Sequence, residues 1–243
     1  MANPRRLRCT VSEVVYHSDE VSSIRLEPEK RPPRFKPGQF LHLALDEFDP
    51  TTGYWPESRV FSIASKPGED SLLVVYAVKG GYTARMRREL EKGKAVWCKL
   101  PYGEFTMQDN DAEELTLIAG GTGFTPFASF LANALSAGGR TKIRLLYGVR
   151  RPELVIFDDL LVKLQSSLED FRLGLLIEQG AEDYRALAAE PGRLSVEKAI
   201  EITEQPEVAA YYLSGPPAMI EAFKKGLAER GVEQKNIFVD EWE

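Results

Sequence analysis

The sequence predicts two domains of different class: a small antiparallel β-barrel of six strands over residues 1–108, then a parallel α/β sheet with crossover helices over 109–243. Three observations carry this. Residues 5–108 hold six short β-branched or apolar runs separated by turn residues such as Pro32-Pro33, Pro37-Gly38 and Pro67-Gly68. From Leu115 onward strand and helix patterns alternate, as crossover units require. Between the two textures, Met107 to Glu114 is an acidic polar stretch that reads as a linker.

The expected barrel strands are Leu7 to Tyr16, Val21 to Glu27, Gln39 to Leu45, Arg59 to Ala64, Leu72 to Val78 and Ala95 to Leu100. Only Tyr82 to Glu91, directly after Gly80-Gly81, has a helical pattern in this half. In the second half, strands are expected at Lys142 to Tyr147, Arg172 to Ile177, Ala209 to Leu213 and Ile237 to Val239. Helices are expected around Asp158 to Ser167, Val196 to Thr203 and Pro217 to Glu229.

The second half opens with Leu115 to Phe127, an apolar strand-like run that breaks at Gly120, Gly121 and Gly123 and passes through Thr125 and Pro126 into a helix ending near Ala137. Glycines at a strand-to-helix turn let backbone N–H groups approach a phosphate, and the helix start adds unpaired donors and partial positive charge. Pro126 suits the first helical turn, where its missing N–H costs no hydrogen bond. Strand, glycine turn and helix together predict a phosphate site in a Rossmann-like sheet.

Composition sets the outer bounds. With 43% hydrophobic and 28% charged residues, a chain of 243 has ordinary globular composition and can bury a core. The net charge of −6 argues against general nucleic-acid binding. The charge is uneven: 17 basic against 14 acidic residues in 1–108, then 14 against 23. No apolar run approaches a membrane span or a secretory signal, so the expectation is a soluble cytoplasmic protein. Cys9 and Cys98 cannot supply an iron–sulfur ligand set and read as buried thiols. His17 and His42 have no metal-ligand spacing with any partner, and no metal site is expected.

Two features of the front half point to a second phosphate-bearing ligand. Strand alternation over Arg59 to Ser65 places Arg59, Phe61, Ile63 and Ser65 on one face and Ser62 on the other. A guanidinium fork matches phosphate oxygens, and an aromatic on the same face can lie against a planar ring. Lys79-Gly80-Gly81-Tyr82-Thr83 is a glycine pair leading into a helix, a second anion cradle with a hydroxyl beside it.

Five ordered motifs, Arg59 to Ser65, Gly80 to Thr83, Gly120 to Pro126, Tyr147 to Arg150 and Ser214-Gly215-Pro216-Pro217-Ala218-Met219, resemble the signature of the ferredoxin–NADP reductase superfamily. The resemblance covers nearly the whole chain. It implies an FAD-binding barrel followed by a nicotinamide-nucleotide domain, with FMN as the alternative flavin. Arg59 would bind the flavin pyrophosphate, Phe61 would pack on the isoalloxazine, and Ser62 would hydrogen-bond near flavin N5. Ser65 belongs to the same motif, and Gly80, Gly81 and Thr83 would hold the pyrophosphate. Gly121, Thr122 and Gly123, leading into Thr125 and Pro126, would hold the pyrophosphate of NADH or NADPH, with Arg150, Gly215 and Pro216 on the nucleotide side. The nicotinamide would reach the flavin between the domains. Ser214 would stand beside it, and Glu241 and Trp242 near the chain's end would lie by the flavin.

Three departures from the family pattern stand out. Phe61 replaces the usual Tyr, and Ser214 replaces a Cys, exchanging sulfur for a smaller and more polar oxygen. Leu176-Ile177-Glu178-Gln179 occupies the stretch that reads a 2′-phosphate through Ser-Arg in plant-type members. That favours NADH, although Arg150, Arg151 and Arg193 can supply positive charge. Trp55, in an aromatic-proline loop, and the run Arg85 to Arg88 are further candidates that plain packing or a solvated helix face explains as well.

The expected activity is hydride transfer from NAD(P)H to FAD, then electron delivery to a separate protein acceptor such as a ferredoxin, a flavodoxin or an oxygenase component. Reduction of free flavin or a small acceptor is one alternative. A flavin-binding subunit or redox sensor with weak turnover is the other.

Overall fold

The computed structural model describes residues 3–107, 112–137 and 142–240. The chain divides into two compact units, Met1–Gln108 and Asp109–Glu243.

The first unit is a six-stranded antiparallel sheet of β1 (Arg5–Tyr16), β2 (Val21–Pro28), β3 (Phe40–Ala44), β4 (Ser58–Ser62), β5 (Leu72–Ala77) and β6 (Ala95–Tyr102), in the order β4-β3-β6-β1-β2-β5. All six expected strands form. Alternation sends Leu41 and Leu43 of β3, Leu72 and Val74 of β5, and Val96, Cys98 and Leu100 of β6 into one apolar core. Helix α1 (Gly81–Glu89) buries Tyr82 and Met86, and both residues belong to this core.

The sheet curls to a near-barrel. Its two edge strands meet where Ala64 N–H donates to Leu73 O at 2.9 Å and Leu73 N–H donates to Ser65 Oγ at 3.2 Å. The β4 ladder therefore stops at Ser62, and the alternation expected through Ser65 is cut short because Ile63 to Ser65 turn inward to close the edge. Cys9 and Cys98 are buried free thiols, as expected.

The second unit is a six-stranded parallel sheet. Its elements are β7 (Glu114–Gly120), α2 (Thr125–Ala137), β8 (Lys142–Val149), α3 (Asp158–Ser167), β9 (Phe171–Ile177), β10 (Glu190–Pro191), α4 (Val196–Ile202), β11 (Ala210–Ser214), α5 (Pro217–Ala228) and β12 (Ile237–Val239). The order is β10-β9-β8-β7-β11-β12. β7 is buried along its whole length, as a central strand covered on both faces must be. The chain leaves β7 toward β8, β9 and β10, then returns to β7's other side with β11 and β12. The direction reverses between β7 and β11, and ligands of open parallel sheets bind outside the carboxyl ends of strands at such a point.

One expectation needs correction at both of its ends. The linker is shorter than Met107 to Glu114. Met107 is buried in the first unit, where the residues around it close on the Pro37-Gly38 turn, and a side chain at Gly38 (φ 93°) would run into Phe105 O. Glu114 is the first residue of β7 and is 3% exposed. Its carboxylate meets Arg144 Nε at 2.8 Å and accepts the backbone N–H groups of Glu204 and Gln205 at 3.0 and 2.8 Å. Arg144, 1% exposed, also reaches Glu204 Oε1 at 2.7 Å and Asp170 O at 2.7 Å. This ionic staple lies at the amino ends of β7 and β8, away from the switch point's carboxyl ends.

Candidate nucleotide-binding sites

In the first unit, β4 and the start of α1 build one site. Arg59 lies with its guanidinium carbon 4.8 Å from the centroid of Tyr82, a residue of the first turn of α1. The Arg59 side chain stays half exposed, donating to Glu57 Oε1 at 2.8 Å and Ser58 O at 2.9 Å. Tyr82 is fixed beneath it: its OH donates to Leu43 O at 2.6 Å, and burial pushes its pKa up to about 12. A permanent cation is thus held beside a helix N-terminus, whose first amides have no intrahelical acceptor.

The cradle has room. A Cβ built on Gly80 or Gly81 would meet nothing within 4 Å. Thr83 Oγ1 accepts the backbone N–H groups of Lys79 and Gly80 at 2.9 and 3.1 Å, so its hydroxyl shapes the turn as a helix cap. Phe61 packs partly on the core, edge to face with Tyr76 at 6.4 Å, and Ser62 pairs with Phe40 at the end of β4. Ser65 is buried, and its oxygen serves the edge closure. An exposed guanidinium, open glycines and a helix start fit the pyrophosphate of a flavin dinucleotide.

In the second unit, two glycine stretches meet at the switch point. Gly121–Phe124 forms one 3-10 turn between β7 and α2. Gly123 lies so close to the end of β11 that a Cβ would run into Ser214 O and come within 2.6 Å of Gly215 N. Gly215, at φ 151°, returns the contact: its Cβ would stand 3.0 Å from Gly120 N and Cα. Gly121, at φ 56°, has nothing within 4 Å and faces open space. The turn is braced from below. Thr125 Oγ1 donates to Thr122 O at 2.7 Å, Pro126 is buried behind it, and Phe124 stacks on Tyr147 at 4.8 Å. Phe157, the only non-glycine at positive φ among the described residues (64°), sets its ring 5.8 Å from Phe124, local strain held against the glycine turn.

Ser214 is fully buried, and its Oγ donates to Asp240 Oδ2 at 3.1 Å; Asp240 is 5% exposed and sits just past β12. Sequence reasoning singled out Ser214 and missed Asp240, because only the pairing of β11 with β12 joins residues 26 apart. Gly215 is buried beside it and Pro216 is exposed. Arg150 is exposed at the end of β8, and Arg193 Nε pairs with Glu178 Oε2 at 2.9 Å just beyond β9. Glu241 and Trp242 lie outside the described residues. The sequence candidates thus gather into two constellations, one in each unit.

Fold and sites together describe a two-unit scaffold with one candidate phosphate cradle on an antiparallel barrel and another at a parallel-sheet switch point. Residues 6–125 match an FAD-binding domain family, and residues 117–225 match the oxidoreductase NAD-binding domain family. The chain belongs to the ferredoxin-reductase-like superfamily of FAD- and NAD-binding oxidoreductases.

Among curated proteins it is 27% identical to the reductase component of propane 2-monooxygenase from Rhodococcus jostii, covering 97% of this chain and 63% of that one. It is 29% identical to the reductase component of phenol 2-monooxygenase from a Pseudomonas species, covering 96% and 64%. The chain thus spans a little under two thirds of the length of these relatives. Among solved structures, an Amycolatopsis cytochrome P450 reductase shares the fold at a TM-score of 0.82 and 23% identity, covering 98% of this chain and 70% of that one. A ferredoxin NADP+ reductase from Neisseria gonorrhoeae, solved with FAD and NADP bound, shares it at 0.77 and 20% identity over 99% of both chains.

Proposed function

We propose that this chain takes reducing equivalents from NADH, in preference to NADPH, onto bound FAD and delivers them to a separate protein acceptor such as a ferredoxin, a flavodoxin or an oxygenase component. The observation that carries this reading is the presence of two phosphate cradles of different build, the Arg59 guanidinium beside the α1 start and the glycine turn at the switch point. The names of the curated relatives, reductase components of monooxygenases, support the separate acceptor.

FAD supplies the redox chemistry, accepting a hydride and releasing electrons singly; the chain's residues bind, orient and exclude water. Arg59 and the α1 amides hold phosphate oxygens, Phe61 offers a ring to a planar system, and Ser62 is the nearby hydrogen-bond donor. The turn Gly121, Thr122, Gly123 presents its backbone to the nucleotide's pyrophosphate. The Ser214 hydroxyl proton is committed to Asp240, so toward a nicotinamide the Ser214 oxygen acts as an acceptor. The NADH preference rests on Leu176 and Ile177, which stand where plant-type members place the Ser-Arg pair that reads a 2′-phosphate and offer it no side-chain donor; the neighbouring Glu178 is engaged with Arg193.

The test is an anaerobic titration of the purified protein with NADH and NADPH in parallel, followed by visible absorbance. Bleaching of bound flavin near one equivalent of NADH, with NADPH lagging, is the expected result. Fast turnover with free FMN alone would move the reading to a small-acceptor reductase. Bound flavin that neither nucleotide bleaches would overturn it in favour of a binding or sensing role.

A further inference from the structure

A second cationic cavity lies in the barrel unit apart from the Arg59 site. It encloses about 550 Å3 and is lined by Arg5 at the start of β1, Arg31 and Arg34 in the β2–β3 connection, and the Gly68-Glu69 turn that follows β4. Among the described residues, Arg5 and Arg34 are the only arginines whose side chains make no hydrogen bond, ion pair or ring contact, and both line this one cavity. Arg31 has only a loose partner, Asp70 at 3.9 Å, with both side chains largely in solvent. Such a pair contributes little. Every other described arginine has a partner within the protein, so the under-partnered guanidiniums among the described residues gather around one hollow.

The lining also sets the ligand's character. Three arginines against Glu69 leave a net charge of +2, which matches a dianion. Phe35, Pro32 and Pro33 supply an apolar wall. The two prolines fix their own backbone φ, so Arg31 and Arg34 reach the cavity from a stiffened connection. Preorganised guanidinium forks favour bidentate phosphate or carboxylate groups. The volume suits a small organic molecule rather than a lone ion.

We infer that this cavity binds a compact dianion, one phosphate monoester or two carboxylate groups on a small organic body, independently of the flavin and nicotinamide sites. The test is calorimetric titration of the whole protein, with FAD and NAD+ in excess to fill the two cradles, using glycerol phosphate as the phosphate probe and succinate as the carboxylate probe. Expected is one-to-one binding of at least one probe, weakened tenfold or more in the Arg5→Ala, Arg34→Ala double variant and unchanged in Arg172→Ala; the probe bound more tightly identifies the ligand's acid type. Both substituted arginines are exposed, and unchanged flavin content with a normal melting temperature establishes that the variant is folded. No heat from either probe, or equal binding by the double variant, overturns the inference. Binding of a triglutamate peptide but of neither small probe also overturns it and makes the hollow a docking point for an acidic protein. NADH bleaching is read separately in the same variant, so loss of one result leaves the other standing.

Discussion

At the proposed flavin site the test falls on Arg59. Its fork geometry, not its charge alone, is matched to a phosphate. Arg59→Ala is expected to lower FAD affinity at least tenfold and Arg59→Lys to restore it only in part, measured as flavin retained after gel filtration. At the switch point, Ser214→Ala leaves the buried Asp240 carboxylate short of a donor and should cost about 1.5–3 kcal/mol of stability, read by urea unfolding of the flavin-loaded protein. Gly123→Ala forces a methyl into the Ser214 carbonyl and should cost about 1–3 kcal/mol, with weaker NADH binding. Arg59, Gly123 and Ser214 were legible because motif spacing marks them. Asp240 was not, because no local pattern tells which strand end a carboxylate will face. The same limit hid the amides that the Thr83 and Ser65 hydroxyls accept, Lys79 and Gly80 for the one and Leu73 for the other.

Among the elements, strands and helices with a strong period were readable almost to the residue, and what failed was short or disguised. β10 has two residues and leaves no pattern. The 3-10 turn at Gly121–Phe124 sits where glycines suggest only a bend. Glu114 looked like linker because it ends an acidic run, while its partner Arg144 lies 30 residues on in the next strand. Removing one member of that buried pair strands the other: Arg144→Ala is expected to destabilise by about 3–5 kcal/mol, seen in the denaturation midpoint of the whole protein. Flavin content at low temperature should stay normal, since the staple belongs to the other unit.

For the whole molecule, titrating groups set the pH range of stability. The Arg85 guanidinium holds Asp46 below the usual carboxylate range, the Trp97 indole does so for Glu47, and the Lys142 ammonium does so for Glu204. Stabilisation from these depressed groups is present above the ordinary carboxylate pKa and lost as pH falls through their lowered values. Burial raises Tyr82 and Tyr211 from 10.0 to about 12, so their contribution is complete below pH 10 and lost as pH rises toward 12. A melting-temperature profile should therefore show a plateau with an acid and an alkaline shoulder, the second coinciding with the ultraviolet signal of tyrosinate. In the parallel sheet, the glycine turns occupy one rim and the ionic staple the other, separated by the length of the strands. That separation makes the staple rim a place for engineering, provided the side chain at position 114 keeps an acceptor for the Glu204 and Gln205 amides. Heat tolerance could then be raised with no change to the surface that meets a nucleotide.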